Sequence, residues 1–305
     1  MRLTLSQQTQ NSLMYLNAAS TKLSEIQNRA ATGKRILKPS DDVPGTDRSL
    51  SLRTAISTLN QLSDNTTVSK PLLSVTESAL ADVGDSLLTA GNIGISAVNG
   101  SLSPDAREAY AEQLDEILSE IVDAANTRYM GQYIFSGTAT DQPAVIAQAG
   151  PQPYAYNGDT DERKTQILSG IVIPLNISGD KVFNFDEAPG GEVTDIFTAI
   201  TQLRDAVRYG TADDISEQQK NVGANRDNVL SCRARVGSWI ARTERAQSVI
   251  ADTKIRLSEL LSQQEDVDLA QMIVELKMQE NVYQAALGVS SRILDMSLAS
   301  LTFLK

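Results

Sequence analysis

Apolar residues recur along most of the chain at alternating spacings of three and four, which places them on one face of an α-helix. The first run is Leu16, Ala19, Leu23, Ile26 and Ala30, and Gly33 follows where a helix C-terminus is expected. Lys34 to Gly45 holds Pro39, Pro44 and the pair Asp41-Asp42, which predicts a loop leading into a helix N-terminus, where carboxylates complement the dipole. A longer run, from Leu52, Ala55, Leu59 and Leu62 to Leu73, Leu80, Val83, Leu87 and Ala90, predicts a helix over about 47–90. At ~1.5 Å per residue it would span roughly 65 Å. Pro71 is expected to kink or split it, and Gly91, Gly94 and Gly100 to weaken its end. Ser103-Pro104-Asp105 then offers a cap and an N1 proline for a helix carrying Tyr110, Leu114, Ile117, Ile121 and Ala124.

The texture changes between Gly137 and Gly191. Thr165–Leu168, Ile171–Ile177 and Lys181–Phe185 are strand candidates, with turn chemistry at Asn157-Gly158 and Ser178-Gly179-Asp180. Helix returns with Ile196, Phe197, Ile200, Leu203 and Val207. The clearest register follows: positions 222, 225, 229, 232, 236, 239, 243, 246, 250, 253, 257 and 260, uninterrupted by proline. A last segment aligns Leu269, Ile273, Leu276, Tyr283, Leu287, Leu294 and Leu301, interrupted by Glu280, Ser290 and Ser297. The expected fold is mainly α, a long antiparallel helical rod or bundle built from both chain halves, with a small β-rich insert.

The outermost segments, about 1–40 and 265–305, have narrow stripes rich in Ser, Gln, Asn and Thr. Two such helices bury little together and would gain most by packing against identical neighbours, as in a subunit that polymerises through its ends. The candidates for that interface are Leu16, Leu23, Ile26, Leu269, Ile273, Leu276, Leu287, Leu294 and Leu301. The plainer alternative is a bundle whose end helices dock on its own body.

Composition narrows the chemistry. The 305 residues include no histidine and one cysteine, Cys232, which removes imidazole-based catalysis and metal ligation, intrachain disulfides and Cys-rich zinc sites. The net charge of -11 opposes binding to nucleic acid. Cys232 and Trp239 fall on the apolar register and read as core. Asp41-Asp42 fits capping better than acid/base work, and Asp159, Asp161 and Glu162 lack the EF-hand spacing. Lys34, Arg35 and Lys38 read as loop or interface charges, and Asn65 and Asn176 as chance glycosylation tripeptides. No cofactor is expected, and no reactive side chain can be paired with a base. No Sec-type signal and no membrane span is read, so the compositional expectation is a soluble cytoplasmic protein.

Two segments carry a resemblance. Gly33-Lys34-Arg35-Ile36-Leu37-Lys38-Pro39-Ser40-Asp41-Asp42, after the Leu23/Ile26 helix, resembles the N-terminal region of the flagellin superfamily. Ala125-Asn126-Thr127-Arg128 and Gly131-Gln132-Tyr133-Ile134-Phe135-Ser136-Gly137 resemble the point where hook–filament junction members of that family leave the helical domain for an outer β domain. The end, Leu298 to Leu304, is similar to the family's C-terminus, whereas Val43-Pro44 and Pro71 depart from its pattern.

The resemblance implies a paired-helix assembly region at 1–40 and 265–305, disordered in the monomer. It implies a helical rod at 41–137 and 192–264, and an outer β-rich domain at 138–191. It implies a non-catalytic subunit that forms a ring with itself, between the first hook-associated junction protein and flagellin. Export, unfolded, through the flagellar type III apparatus with an export chaperone would place it outside the cell, which replaces the compositional expectation. A filament flagellin, or a surface adhesive module using the β insert, are the alternatives.

Overall fold

The computed structural model describes residues 5–99, 103–149, 152–185 and 194–302. Helices α1 (Leu5–Thr32), α2 (Val43–Asn99) and α3 (Pro104–Ala125) lead into strands β1 (Arg128–Tyr129), β2 (Gln132–Tyr133), β3 (Val145–Ala147), β4 (Tyr154–Tyr156), β5 (Lys164–Leu168) and β6 (Ile171–Pro174). Helices α4 (Gly179–Phe183), α5 (Ile196–Tyr209), α6 (Ala212–Glu265) and α7 (Leu269–Thr302) complete the order. The strands pair in sequence as three antiparallel two-stranded ribbons, β1-β2, β3-β4 and β5-β6. The chain divides into two compact units, one of residues 1–58 and 253–305 and one of 59–252.

In the 59–252 unit, α2 and α6 lie antiparallel. Lys70 pairs with Glu244, Glu77 with Arg233, and the Gln219 amide donates to the Gly91 carbonyl. Nine successive positions of the α6 register, Val222 to Ile250, are buried, with Asn225 and Thr243 among them. A heptad run sustained this long leaves no competing face, so the helix forms as its pattern predicts. Leu73, Leu80, Val83 and Leu87 of α2 and Leu114 and Ile121 of α3 fill the same core, joined by Ile200 and Leu203 of α5. Ser103 caps α3 by accepting the Ala106 N–H at 3.2 Å, with Pro104 at the start, as its sequence predicts.

Pro71 neither splits nor ends α2, which runs unbroken from Val43 to Asn99. The turn before the proline carries extra bonds. The Thr66 and Thr67 hydroxyls donate to the Ser63 carbonyl, and Ser69 Oγ to the Asn65 carbonyl at 2.5 Å. Leu73, two residues on, is fully buried, so tertiary packing holds the helix across the lost donor. Gly91 and Gly94 do not end it either, because Leu203 and Gln219 pack against Gly94.

A second correction concerns Lys181–Phe185, expected as a strand. Gly179–Phe183 is a helical turn with Asn184 left-handed at its C-cap, φ 58°. It buries Val182 and Phe183, and the Asn228 amide donates to the Lys181 and Val182 carbonyls. That α6 side chain satisfies carbonyls a ladder would otherwise use. The strand expected at Ile171–Ile177 stops at Pro174, which has no N–H for a ladder.

Candidate assembly surface

Gly33 ends α1 with φ 67°, and its N–H donates to the Arg29 carbonyl at 2.9 Å. The chain then runs briefly antiparallel to the α6–α7 junction. Arg35 N–H donates to the Glu265 carbonyl at 2.6 Å, and Val267 N–H to the Gly33 carbonyl at 3.0 Å. The centre of this junction is a carboxylate that the sequence reading did not single out. Glu265 takes a two-pronged contact from Arg53, Nε to Oε1 at 2.9 Å and Nη2 to Oε2 at 2.6 Å, and Lys34 Nζ reaches Oε2 at 2.6 Å. Its side chain is only 5% exposed, against 40% for Lys34 and 54% for Arg53. The Arg53 hydrogen bonds, opposed by burial and aided by Lys34, hold the Glu265 carboxyl down at about 2. No local signal marks this group, because its partners stand more than two hundred positions away in sequence.

The paired aspartates act in the same region as caps. Asp42 precedes α2 and accepts the Gly45 N–H at 2.9 Å, while Arg35 Nη2 reaches its other oxygen at 3.1 Å. Asp41 accepts the Leu37 and Lys38 N–H groups, both at 3.0 Å. Both carboxyls fall below the usual range: Asp41 through the Lys38 and Leu37 amides, and Asp42 through the Gly45 amide and then Arg35. Pro39 and Ser40 are exposed, and Pro39 lines a groove of about 190 Å³ with Leu37, Ser49, Leu50, Arg53 and Glu265.

α1 and α7 pair antiparallel, with Ser12 against Ser290 at 2.9 Å and the Gln279 amide donating to the Ala19 carbonyl at 3.2 Å. Ile26 is buried, and Leu16, Leu23 and Leu276 are half-buried, while Leu269, Ile273 and Leu287 are exposed. The pairing register of α7 instead runs through Met272, Leu276, Gln279, Tyr283 and Ser290. The side chains of Leu294 and Leu301 lie outside the described residues. Among the described residues of this unit, Ala19, Ile26 and Met272 are its buried apolar side chains. Against them, Met14, Tyr15, Leu269, Ile273, Val274, Met278 and Val289 are each at least 55% exposed. Each Å² of apolar surface left in water costs about 25 cal/mol, so a neighbour that covers this row stabilises it.

The second motif segment seats the insert in the other unit. The Asn126 amide clasps β3 on both sides, donating to the Val145 carbonyl at 2.9 Å and accepting its N–H at 3.1 Å. Thr127 accepts the Ile134 N–H at its carbonyl, and the Arg128 guanidinium lies 4.2 Å over the Tyr133 ring. Met130 and Gly131, both with positive φ, form the β1-β2 turn. Phe135 is fully buried, 5.5 Å edge-on from Phe183. Gly137 has φ 67°, and a Cβ there would meet the Asp159 carboxylate at 2.0 Å. Asp159 is occupied by the Thr138 N–H, at 2.7 Å, the Thr138 hydroxyl and the Asp161 N–H, so it serves as a loop clasp. Cys232 and Asn176 are buried.

Among the described residues no helix is long and apolar enough to cross a membrane, and no group of three His, Cys, Asp or Glu side chains could hold a metal ion. Residues 3–140 match the family model for the bacterial flagellin N-terminal helical region. The chain is 26% identical over 290 residues to flagellar hook-associated protein 3 of Escherichia coli K12, covering 89% of this chain and 90% of that one. It is 22% identical to a flagellin of Listeria innocua, over 91% of this chain and 90% of the other. The crystal structure of FlgL from Xanthomonas campestris superposes with a TM-score of 0.61 at 16% identity, covering 69% of this chain and 99% of that one. Helical ends, the capped turn at 33–42 and the motif at 126–137 agree with these likenesses: residues 3–140 carry the bacterial flagellin N-terminal helical region, and the chain as a whole resembles flagellar hook-associated protein 3.

Proposed function

We propose that this chain is a structural subunit of the bacterial flagellum. It forms a ring at the hook–filament junction on which flagellin polymerises, and it does no catalysis. The observation that carries the reading is the α1–α7 pair. It buries three apolar side chains within its unit and leaves a row of them in water, Leu269, Ile273, Val274, Met278 and Val289 included. Such a face is stabilised when identical neighbours cover it, which a polymer supplies and a monomer does not.

In this reading, 1–40 and 265–305 are the assembly region, 41–137 with 192–264 the rod, and 138–191 the outer insert. The ends are ordered by assembly, as expected where a helix pair has little core of its own. The partners are further copies of the chain, the first hook-associated junction protein and flagellin. Export through the flagellar type III apparatus, assisted by a chaperone, delivers the subunit to the cell exterior. The greater identity to hook-associated protein 3 than to the Listeria flagellin supports the junction reading over the filament one.

Deletion of the gene tests this. Cells should carry hooks without filaments and release flagellin monomers into the medium, as seen by electron microscopy and blotting. Normal filaments in the deletion strain would refute the reading.

A further inference from the structure

We propose that neighbouring copies also meet through the 59–252 unit, head to tail, by a basic apolar groove at α6 and the β5-β6 ribbon receiving the acidic edge of α2 and α3 from the next copy. The inference rests on the assembly reading and names a second contact for it.

The groove has a volume of about 210 Å³ and is lined by Ile167, Leu168, Ile171, Arg242, Arg245 and Val249. The ribbon is held against α2 by Asn65, whose amide donates to the Gln166 carbonyl at 2.9 Å, so the groove is a fixed feature of the unit. Its floor is Ile167, 1% exposed, and its rim carries Ile171 and Val249, 38% and 51% exposed. Arg242 and Arg245 are exposed, and neither has an ion-pair partner among the described residues. Arg235 stands one heptad before Arg242 on the same helix and is exposed as well. The nearby Glu244 is already taken by Lys70 at 2.9 Å.

The complementary surface is a groove of about 530 Å³ lined by Asp85, Ser86 and Thr89 of α2 and Gln113, Glu116 and Glu120 of α3, with Ile93 and Ile117 beneath. Asp85 and Glu116 have no cationic partner among the described residues, and Glu120 accepts only a 3.3 Å bond from the Ser86 hydroxyl. Two other α3 carboxylates are already paired, Asp115 with Arg204 at 2.7 Å and Glu108 with Arg208 at 2.7 Å. Each surface is therefore an apolar floor under unneutralised charge, and the two charges are opposite.

A second copy is the occupant because of the charge balance. A chain of net charge -11 repels its own kind, and an unpaired cationic patch facing an acidic one offsets that repulsion where two copies meet. The two patches lie on different elements and share no residue. An isologous pair could match both patches but would close as a dimer, whereas a heterologous contact leaves one patch of each kind free for the next copy, as the ring of the assembly reading requires.

The test uses the full-length chain supplied to cells that lack the gene. Arg242→Cys with Glu116→Cys should give dimers and a ladder of larger products when isolated hooks and filaments are mildly oxidised. Each single variant should not, since native Cys232 is buried. Arg242→Glu with Arg245→Glu should cause loss of filaments, Glu116→Arg with Glu120→Arg likewise, and the four changes in one chain should restore them. Filaments unaffected by either reversal, or no product specific to the double-cysteine chain, would overturn the contact. Cross-links from position 242 into another protein would overturn the choice of occupant. If the unaltered gene itself fails to restore filaments, the assembly reading falls instead. The cysteine chains change only exposed positions and keep the test decisive should a reversal impair folding.

Discussion

Replacing Glu265 by glutamine keeps the side chain's shape and removes the charge that holds Lys34 and Arg53. The carboxyl's ordinary value is 4.5 and its folded value about 2. A depressed carboxyl stabilises the fold fully above the unfolded value and loses that contribution as pH falls from 4.5 towards 2. At ~1.36 kcal/mol per unit the upper bound is roughly 3 kcal/mol, and screening at the half-exposed Arg53 and Lys34 brings it to about 2 kcal/mol. That corresponds to an about 30-fold larger population of the opened junction. Hydrogen exchange at the Arg35 and Val267 amides of the assembled subunit, where the ends are ordered, reads it, because both donate across the junction. The Glu265→Gln chain should lose protection there by that factor at neutral pH. Its protection should change little between pH 4.5 and 2 after correction for intrinsic exchange, whereas the wild-type chain should lose it. Protection within threefold of wild type, or identical pH profiles, would refute the junction as an electrostatic lock.

Pro71→Ala should stabilise the 59–252 unit by about 1–3 kcal/mol, because it restores a helical donor in an unbroken helix; a lower melting temperature would contradict this. Phe183→Ala removes a fully buried ring in contact with Phe135 and Phe197, and should destabilise that unit by about 3–5 kcal/mol in chemical denaturation. Ile273→Asn with Met278→Asn alters exposed positions, so it should leave monomer melting unchanged and abolish filament retention on hooks. Protease treatment of the monomer should trim both ends to a stable fragment near 41–264, and resistant ends would count against assembly-coupled ordering.

The sequence made the long helices legible where a single face is apolar, as in α6, whose register from Val222 to Ile250 is buried throughout. It misled where tertiary packing outweighed a local rule. Pro71 sits in an intact helix because α2 packs on both sides of it, and Lys181–Phe185 turns helical because Asn228 supplies partners for its carbonyls. On α7 two apolar stripes coexist, one through Met272 and Leu276 and one through Leu269 and Ile273, and periodicity cannot say which faces α1. The capping role of Asp41-Asp42 was readable because it is local. Glu265 was not, because nothing nearby announces that a carboxylate at the end of a helix will meet Arg53 and Lys34. The same holds for the two charged grooves, each assembled from helices or ribbons far apart in sequence.

The central claim is one of position, and immunogold labelling of intact flagella with an antibody against the 138–191 insert tests it most directly. The account predicts gold confined to a single narrow band where hook meets filament; gold along the filament's length, or none on the flagellum, would contradict it.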